Sequence, residues 1–280
     1  MSRMRLALLT TMAMLAFAAN SLLCREALAA GHIDASSFTL VRLVSGAAVL
    51  GFLLLVKFRG VTLGGSWLAA AALFGYAAAF SFAYISLSAG TGALLLFGAV
   101  QATMIGYGLW MGELLSPQKM MGAGVAFAGL VWLMLPGIEA PPLLGALTMF
   151  AAGVCWGVYS LLGRRSTEAT IATAGNFIRT IPFAIILFWL MGDANQVTHL
   201  GLAYAVASGA AASGLGYALW YAVLPALPAS SAATIQLSVP IIAAFGGVLL
   251  LDEQLTLRFV LAAIAVLGGI AVFILSRRRS

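Results

Sequence analysis

Charge is what this sequence has least of. Of 280 residues, 8% are charged and 63% are hydrophobic. A soluble domain carries about 25% charged residues. No water-soluble core could hide this much apolar chain, so the medium around it must be lipid. Cysteine is nearly absent too. Cys24 and Cys155 both fall inside apolar runs, so nothing points to a disulfide framework or a thiolate metal site and both are expected to be small buried hydrophobes. The two histidines, His32 and His199, lie between apolar runs. The eight acids, Glu26, Asp34, Glu113, Glu139, Glu168, Asp193, Asp252 and Glu253, all fall at run ends or in connections. A carboxylate at membrane depth is the usual proton carrier of coupled pumps. Its absence argues against an Asp/Glu relay and favours facilitated movement. Strand-type alternation is also missing, which argues against a barrel.

What remains is a series of ten apolar runs, each about 20 residues, the length a spanning helix needs. They cover 6–28, 36–56, 64–88, 91–112, 119–136, 141–163, 170–191, 200–222, 228–251 and 256–275. The first imitates a secretory leader, with basic residues, an apolar run and "ALAAG". It is long for a leader core, however, and part of it recurs internally, so it is expected to be the first membrane helix. Ten spans put both termini on one side. With that side cytoplasmic, Arg3, Arg5, Lys57, Arg59, Lys119, Arg164, Arg165, Arg277, Arg278 and Arg279 lie inside, and only Arg25 and Arg258 lie outside. This is the positive-inside bias expected of a helical membrane protein. The net charge of +6 is then a topology signal and gives no reason to expect a nucleic-acid partner.

The recurrence is systematic. "NSLLCRE" (20–26) returns as "YSLLGRR" (159–165), a shift of 139; "FTLVRLVSGAAVL" with Arg42 returns as "GNFIRTIPFAIIL" with Arg179, a shift of 137. The stripe Tyr76, Phe80, Tyr84 parallels Ser213, Tyr217, Tyr221, and "WMGE" ending at Glu113 parallels "LLDE" ending at Glu253. The chain therefore reads as two five-helix units, 1–137 and 138–280. Five is odd, so the second unit enters the membrane inverted, as in secondary transporters. The expected fold is an all-α membrane protein with two inverted repeats around a central cavity.

Polar groups at spanning depth mark the expected site. Arg42 lies ~9 Å and Arg179 ~14 Å into their spans at 1.5 Å per residue. Each could hold a substrate carboxylate, or bond carbonyls or snorkel to the interface. Asn20, Gln101, Asn176 and Gln236 are cavity candidates, or interhelical hydrogen bonders. The Tyr76, Phe80, Tyr84 stripe could face lipid or pack in the core, or Tyr76 and Phe80, with Trp156, could contact an apolar substrate side chain, and Phe38 and Ser213 complete the candidate set. Pro182, Pro240 and the glycines of "MIGYGLW" could kink their helices. No cofactor or metal is expected. The partners expected are a small-molecule substrate and the bilayer, with a monomer sufficient.

"AATIQLSVPIIAAFGGVLLLDEQLT" (232–256) resembles the signature region of EamA-type members of the drug/metabolite transporter superfamily. "GALLLFGAVQATMIGYGLWMGELLSPQ" (92–118) resembles its first-half counterpart, with Val100 or Gln101 where that region has proline. "GTGALLLFGAVQATM" is most similar to YddG-type aromatic amino-acid exporters of bacterial inner membranes. The resemblance implies a ten-helix basket and export of amino acids or similar metabolites by alternating access. Organic-anion, sugar-phosphate or drug exporters of the same superfamily are the alternative. A membrane enzyme would need a nucleophile and base, or a metal cluster, at depth. A non-transporting subunit or channel would not need the inverted repeat.

Overall fold

The computed structural model describes residues 2–57, 63–163, 168–227 and 229–276. Among them there are helices and no strands. In chain order we label the helical segments α1 (Arg3–Ala29), α2 (Ala35–Lys57), α3 (Trp67–Tyr84), α4 (Ala89–Trp110), α5 (Pro117–Met134), α6 (Leu143–Gly163) and α7 (Ala169–Met191). They continue as α8 (His199–Ala226), α9 (Ala229–Gln236 followed by Ser238–Leu250) and α10 (Leu257–Leu275). Nine of the described segments are long and apolar enough to cross a membrane. The tenth, α5, is an 18-residue helix whose first turn carries Gln118 and Lys119.

The helices start where the sequence supplies oxygen caps. The side chains of Ser2, Ser66, Ser88, Ser116, Thr198 and Thr256 each accept a backbone N–H three residues on, satisfying donors that a helix start leaves free. Asp34 Oδ1 does the same for Ser36 and Ser37. Ser88 also explains why α3 stops at Tyr84, short of the expected 88: Ser86 to Ser88 make the turn and cap α4. Pro240 breaks α9 at Leu237, as expected, because its ring conflicts with the carbonyl four residues earlier and it has no N–H to donate there. The α4 glycines and Pro182 do not interrupt their helices.

Helix α8 carries a π-helical stretch, Ala207–Leu215, flanked by ordinary α-helix. In an α-helix residues five apart are about 140° apart around the axis. The wider π turn brings Ser208 and Ser213 toward the same side. Gly209 in this stretch lies on the α2 backbone, where an added Cβ would collide with the Arg42 carbonyl and Ser45 Oγ.

Packing follows small residues. The α5–α10 crossing is made where Gly122 and Gly269 each approach the other's carbonyl, 2.6 and 2.5 Å from where a Cβ would sit. Helix α6 packs on α3 and α4, α1 on α8 and α9, and α7 on α2 and α3; α8 also packs on α2, and α4 on α9. Leu8, Phe52, Leu55, Leu144, Ile186, Leu249 and Ile264 face outward, as lipid requires. Exposed Trp110 and Trp189 lie at helix ends, where interfacial tryptophans anchor. Of the topology residues, Arg59, Arg164, Arg165, Arg277, Arg278 and Arg279 lie outside the described residues.

Candidate functional site

A cavity of about 480 Å³ opens between α1, α4, α6, α7, α8 and α9. Its wall is aromatic: Phe17, Phe97, Trp156, Tyr159, Tyr217, Trp220 and Tyr221. Its polar groups are few, among them Gln101, Gln236, Asn176, Thr173 and Ser160. The break at Leu237 places Gln236 on the wall, at the last residue of the first half of α9. Tyr159 Oη donates to Thr173 Oγ1 at 3.2 Å, and Thr173 Oγ1 to Tyr221 Oη at 3.2 Å. This chain ties α6, α7 and α8 together along one side. The cavity reaches Gly163 and Leu224, near the ends of α6 and α8.

At its deep end Phe17, Phe97, Trp156 and Tyr217 form a constriction shared with a second, much smaller space of about 10 Å³. That space is lined by Asn20, Tyr76, Phe80 and Ser213, among others. Trp156 lies 4.9 Å from the Tyr76 ring and 5.6 Å from Phe97, centroid to centroid. Ser208 Oγ donates to Asn20 Oδ1 at 2.6 Å, and Asn20 Nδ2 donates to Tyr76 Oη at 3.4 Å. Behind Tyr76, Arg42 Nη2 donates to the same hydroxyl at 2.9 Å. The Arg42 guanidinium carbon is 5.2 Å from the Tyr76 ring centre and 4.8 Å from that of Phe80.

On the opposite side an ion pair ties helices together beside a separate pocket of about 250 Å³ lined by Arg25, Ser88, Leu133 and Glu253, among others. Arg25 Nε donates to Glu253 Oε1 at 3.1 Å, and Arg25 Nη1 to the carbonyls of Tyr84 and Ile85. Both Glu253 oxygens accept the Ala89 N–H, at 3.1 and 2.9 Å. One carboxylate thus joins the end of α9 to α1 and to the first turn of α4, where an anion is favoured. This is the only ion pair among the described residues.

The structure brings most of the expected site residues together. Gln101, Trp156, Asn176 and Gln236 line the main cavity; Asn20, Tyr76, Phe80, Trp156 and Ser213 line its deep extension. Three do not line either space. Phe38 is fully buried in the core. Arg179, placed deepest by the sequence, has Nη1 on the carbonyls of Gly64, at 2.6 Å, and Gly175, at 3.0 Å. With Asn176, whose Oδ1 accepts from the Ser66 N–H, it ties the α2–α3 connection to α7. Arg42, expected to be the shallower, does not snorkel: it is 2% exposed. Sequence reasoning missed Phe17, Phe97 and Trp220 as wall residues. Tyr217 and Tyr221 carried a signal, since they match Phe80 and Tyr84 in the recurrence.

Comparison with known proteins gives the arrangement a family. Residues 143–275 match the model of the EamA-like transporter family. An uncharacterized protein of Pseudomonas aeruginosa is 54% identical over 98% of this chain and 96% of its own length. The chain belongs to the EamA-like transporter family. Proteins named threonine/homoserine exporter RhtA, from Salmonella typhimurium, are 35% identical over 50% of this chain and 49% of their own length, so the similarity spans about half of them. An uncharacterized transporter, YoaV of Bacillus subtilis, is 25% identical over 60% of this chain and 61% of its own. A solved structure described as "Crystal structure of protein" shares the fold, with a TM-score of 0.68 at 21% identity over 97% of this chain and 98% of that one. As an EamA-like transporter, the chain is a multi-pass membrane carrier for a small molecule, not an enzyme.

Proposed function

We propose that this transporter exports amino acids or similar small metabolites across a bacterial inner membrane by alternating access, without ion coupling. The observation that carries the reading is the cavity itself: an aromatic wall with a few amides, of a size for one small zwitterion with an apolar side chain. The half-length similarity to threonine/homoserine exporters supports an amino-acid substrate, and the Trp156, Tyr217 and Trp220 wall leaves room for aromatic ones. A sugar-phosphate carrier would want several free cations at the cavity, whereas Arg179 is engaged by carbonyls.

The two-repeat organisation, 1–137 and 138–280, has support in the packing. Replacing each helix by the one five further along converts α3–α6 into α8–α1, α4–α6 into α9–α1, and α3–α7 into α8–α2; α2–α7, α4–α9 and α5–α10 map onto themselves. All of these contacts exist. Glu113 and Glu253 also share a local geometry, each N–H returning to a glycine carbonyl, Gly108 or Gly247, at the end of α4 or α9. In this reading the cavity faces the cytoplasm, the side of the lysine and arginine excess, and the Arg25–Glu253 contact closes the outside. Both termini are then cytoplasmic, and one chain is enough for transport.

The test is uptake by proteoliposomes of labelled threonine, homoserine, phenylalanine and tryptophan, with and without a pH gradient. Saturable, gradient-independent uptake is expected, reduced about tenfold or more in Gln101→Ala and Trp156→Ala through lost hydrogen bonding and aromatic contact. No uptake of any amino acid would overturn the substrate class. Uptake that requires the gradient would overturn the uncoupled mechanism.

A further inference from the structure

Arg42 is the one embedded arginine whose charge the described residues do not answer. Arg25 has a carboxylate. Arg179 has two carbonyls, and Arg258 has the carbonyls of Trp132, Leu135 and Ile138. Arg42 is 2% exposed, yet its Nε and Nη1 have no hydrogen-bond partner. Its Nη2 meets a neutral hydroxyl, and two aromatic faces supply only part of what a desolvated cation needs. A guanidinium stays charged in proteins. A buried cation left this way is costly and is kept at membrane depth for a use.

The surroundings select the missing partner. Tyr76 Oη receives both Arg42 and Asn20, and Ser208 fixes the Asn20 amide so that its NH₂ group points to Tyr76. Among the described residues these donors therefore converge on the Tyr76 hydroxyl, which lines the deep extension of the cavity, with no acid among them. The group that fits is a small anion with several acceptor lone pairs. We propose that Arg42 receives the carboxylate of the transported molecule once it has passed the Phe97–Trp156 constriction. The carboxylate bridges Nη1 and Nη2 and replaces the Tyr76 hydroxyl as the acceptor of Nη2, a two-point match that a guanidinium makes and an ammonium does not. This rests on the amino-acid reading above and adds to it that the free carboxylate is required.

The experiment is quenching of intrinsic tryptophan fluorescence in the purified, full-length protein, since Trp156 adjoins Tyr76. L-threonine is compared with L-threoninamide, and sodium acetate with sodium chloride at equal ionic strength. Threonine is expected to bind about tenfold or more tightly than the amide, with acetate quenching and chloride not. Arg42→Gln should abolish the acid–amide difference and the acetate response, whereas a folded Arg42→Gln that binds threonine like the parent would overturn the proposal. If Arg42→Gln does not fold, Arg42→Lys carries the test. It keeps a point charge without the planar fork and should bind threonine about tenfold more weakly, and unchanged affinity there overturns the proposal equally. Equal responses to acetate and chloride would mean a general inorganic-anion site and overturn the carboxylate assignment. If acetate responds through Arg42 and no amino acid binds, the carboxylate subsite stands and the amino-acid reading fails. Silence toward acetate and threonine alike sinks the subsite.

Discussion

Gly209 has a hydrogen where any other residue would place carbon against the Arg42 carbonyl and the Ser45 hydroxyl. That single absence lets α8 lie on α2 and positions Ser208 beside Asn20, so a residue remote from substrate sets the geometry of the deep site. Gly209→Ala is expected to force the two helices apart and lower stability by about 1–3 kcal/mol, the usual cost of overpacking. The check is the thermal midpoint of the detergent-purified protein. Gly51, on the partner helix α2, faces open space, and Gly51→Ala should leave the midpoint unchanged or raised. The sequence marked Arg42 and Arg179 as an equivalent pair by position. It could not show that one would find carbonyls and the other none, because that depends on which connection passes each guanidinium. The Gly64–Ser66 segment reaches Arg179, and among the described residues no corresponding backbone carbonyl accepts from Arg42.

At the scale of elements, the contact of Arg25 with Glu253 and of Glu253 with the Ala89 N–H joins three helices through one carboxylate. In the proposed facing, this contact lies on the outer side and must break for that side to open. The same charges on an exposed surface would matter little. Here the side chains are 23% and 12% exposed, and Glu253 also caps α4. Glu253→Gln is expected to shift the protein toward an outward-open state by roughly fivefold or more, about 1 kcal/mol. A Ser213→Cys reporter in a Cys24→Ala, Cys155→Ala background would read this. Labelling by a membrane-impermeant thiol reagent from the outside should rise by that factor when Glu253→Gln is added. Unchanged labelling would show that the ion pair does not hold the outer side shut. The recurrence placed Glu253 at a helix end, and Arg25 was placed outside by topology alone. Their meeting was not legible, since 228 residues separate them.

For the whole molecule, the proposed pair of inverted five-helix units requires both termini on one side, and the positive-inside bias makes that side the cytoplasm. A fluorescent protein fused after Ser280 is expected to fluoresce in intact cells, and an alkaline phosphatase fused there to stay inactive. The reverse pattern would invert the proposed facing of the cavity and of the Arg25–Glu253 closure together.

Much of this architecture was already set by the order of residues. Apolar runs of bilayer length leave the backbone no solution but helices, serine, threonine and aspartate caps mark where they begin, and Pro240 marks where α9 must break. These are local effects, decided within a few residues of each position. The cavity was legible only in outline: Gln101, Gln236, Asn20, Asn176 and the Tyr76–Phe80 stripe stood out because polar or periodic residues are rare in such a chain. Packing alone decided that Phe17 and Trp220 form wall, that Arg179 is tied to a connection, and that Arg42 is buried with no answering charge among the described residues. In lipid, lateral helix contacts are set by where small residues allow backbones to approach. Which polar group meets which partner follows from those approaches, and no one segment of the chain contains that information.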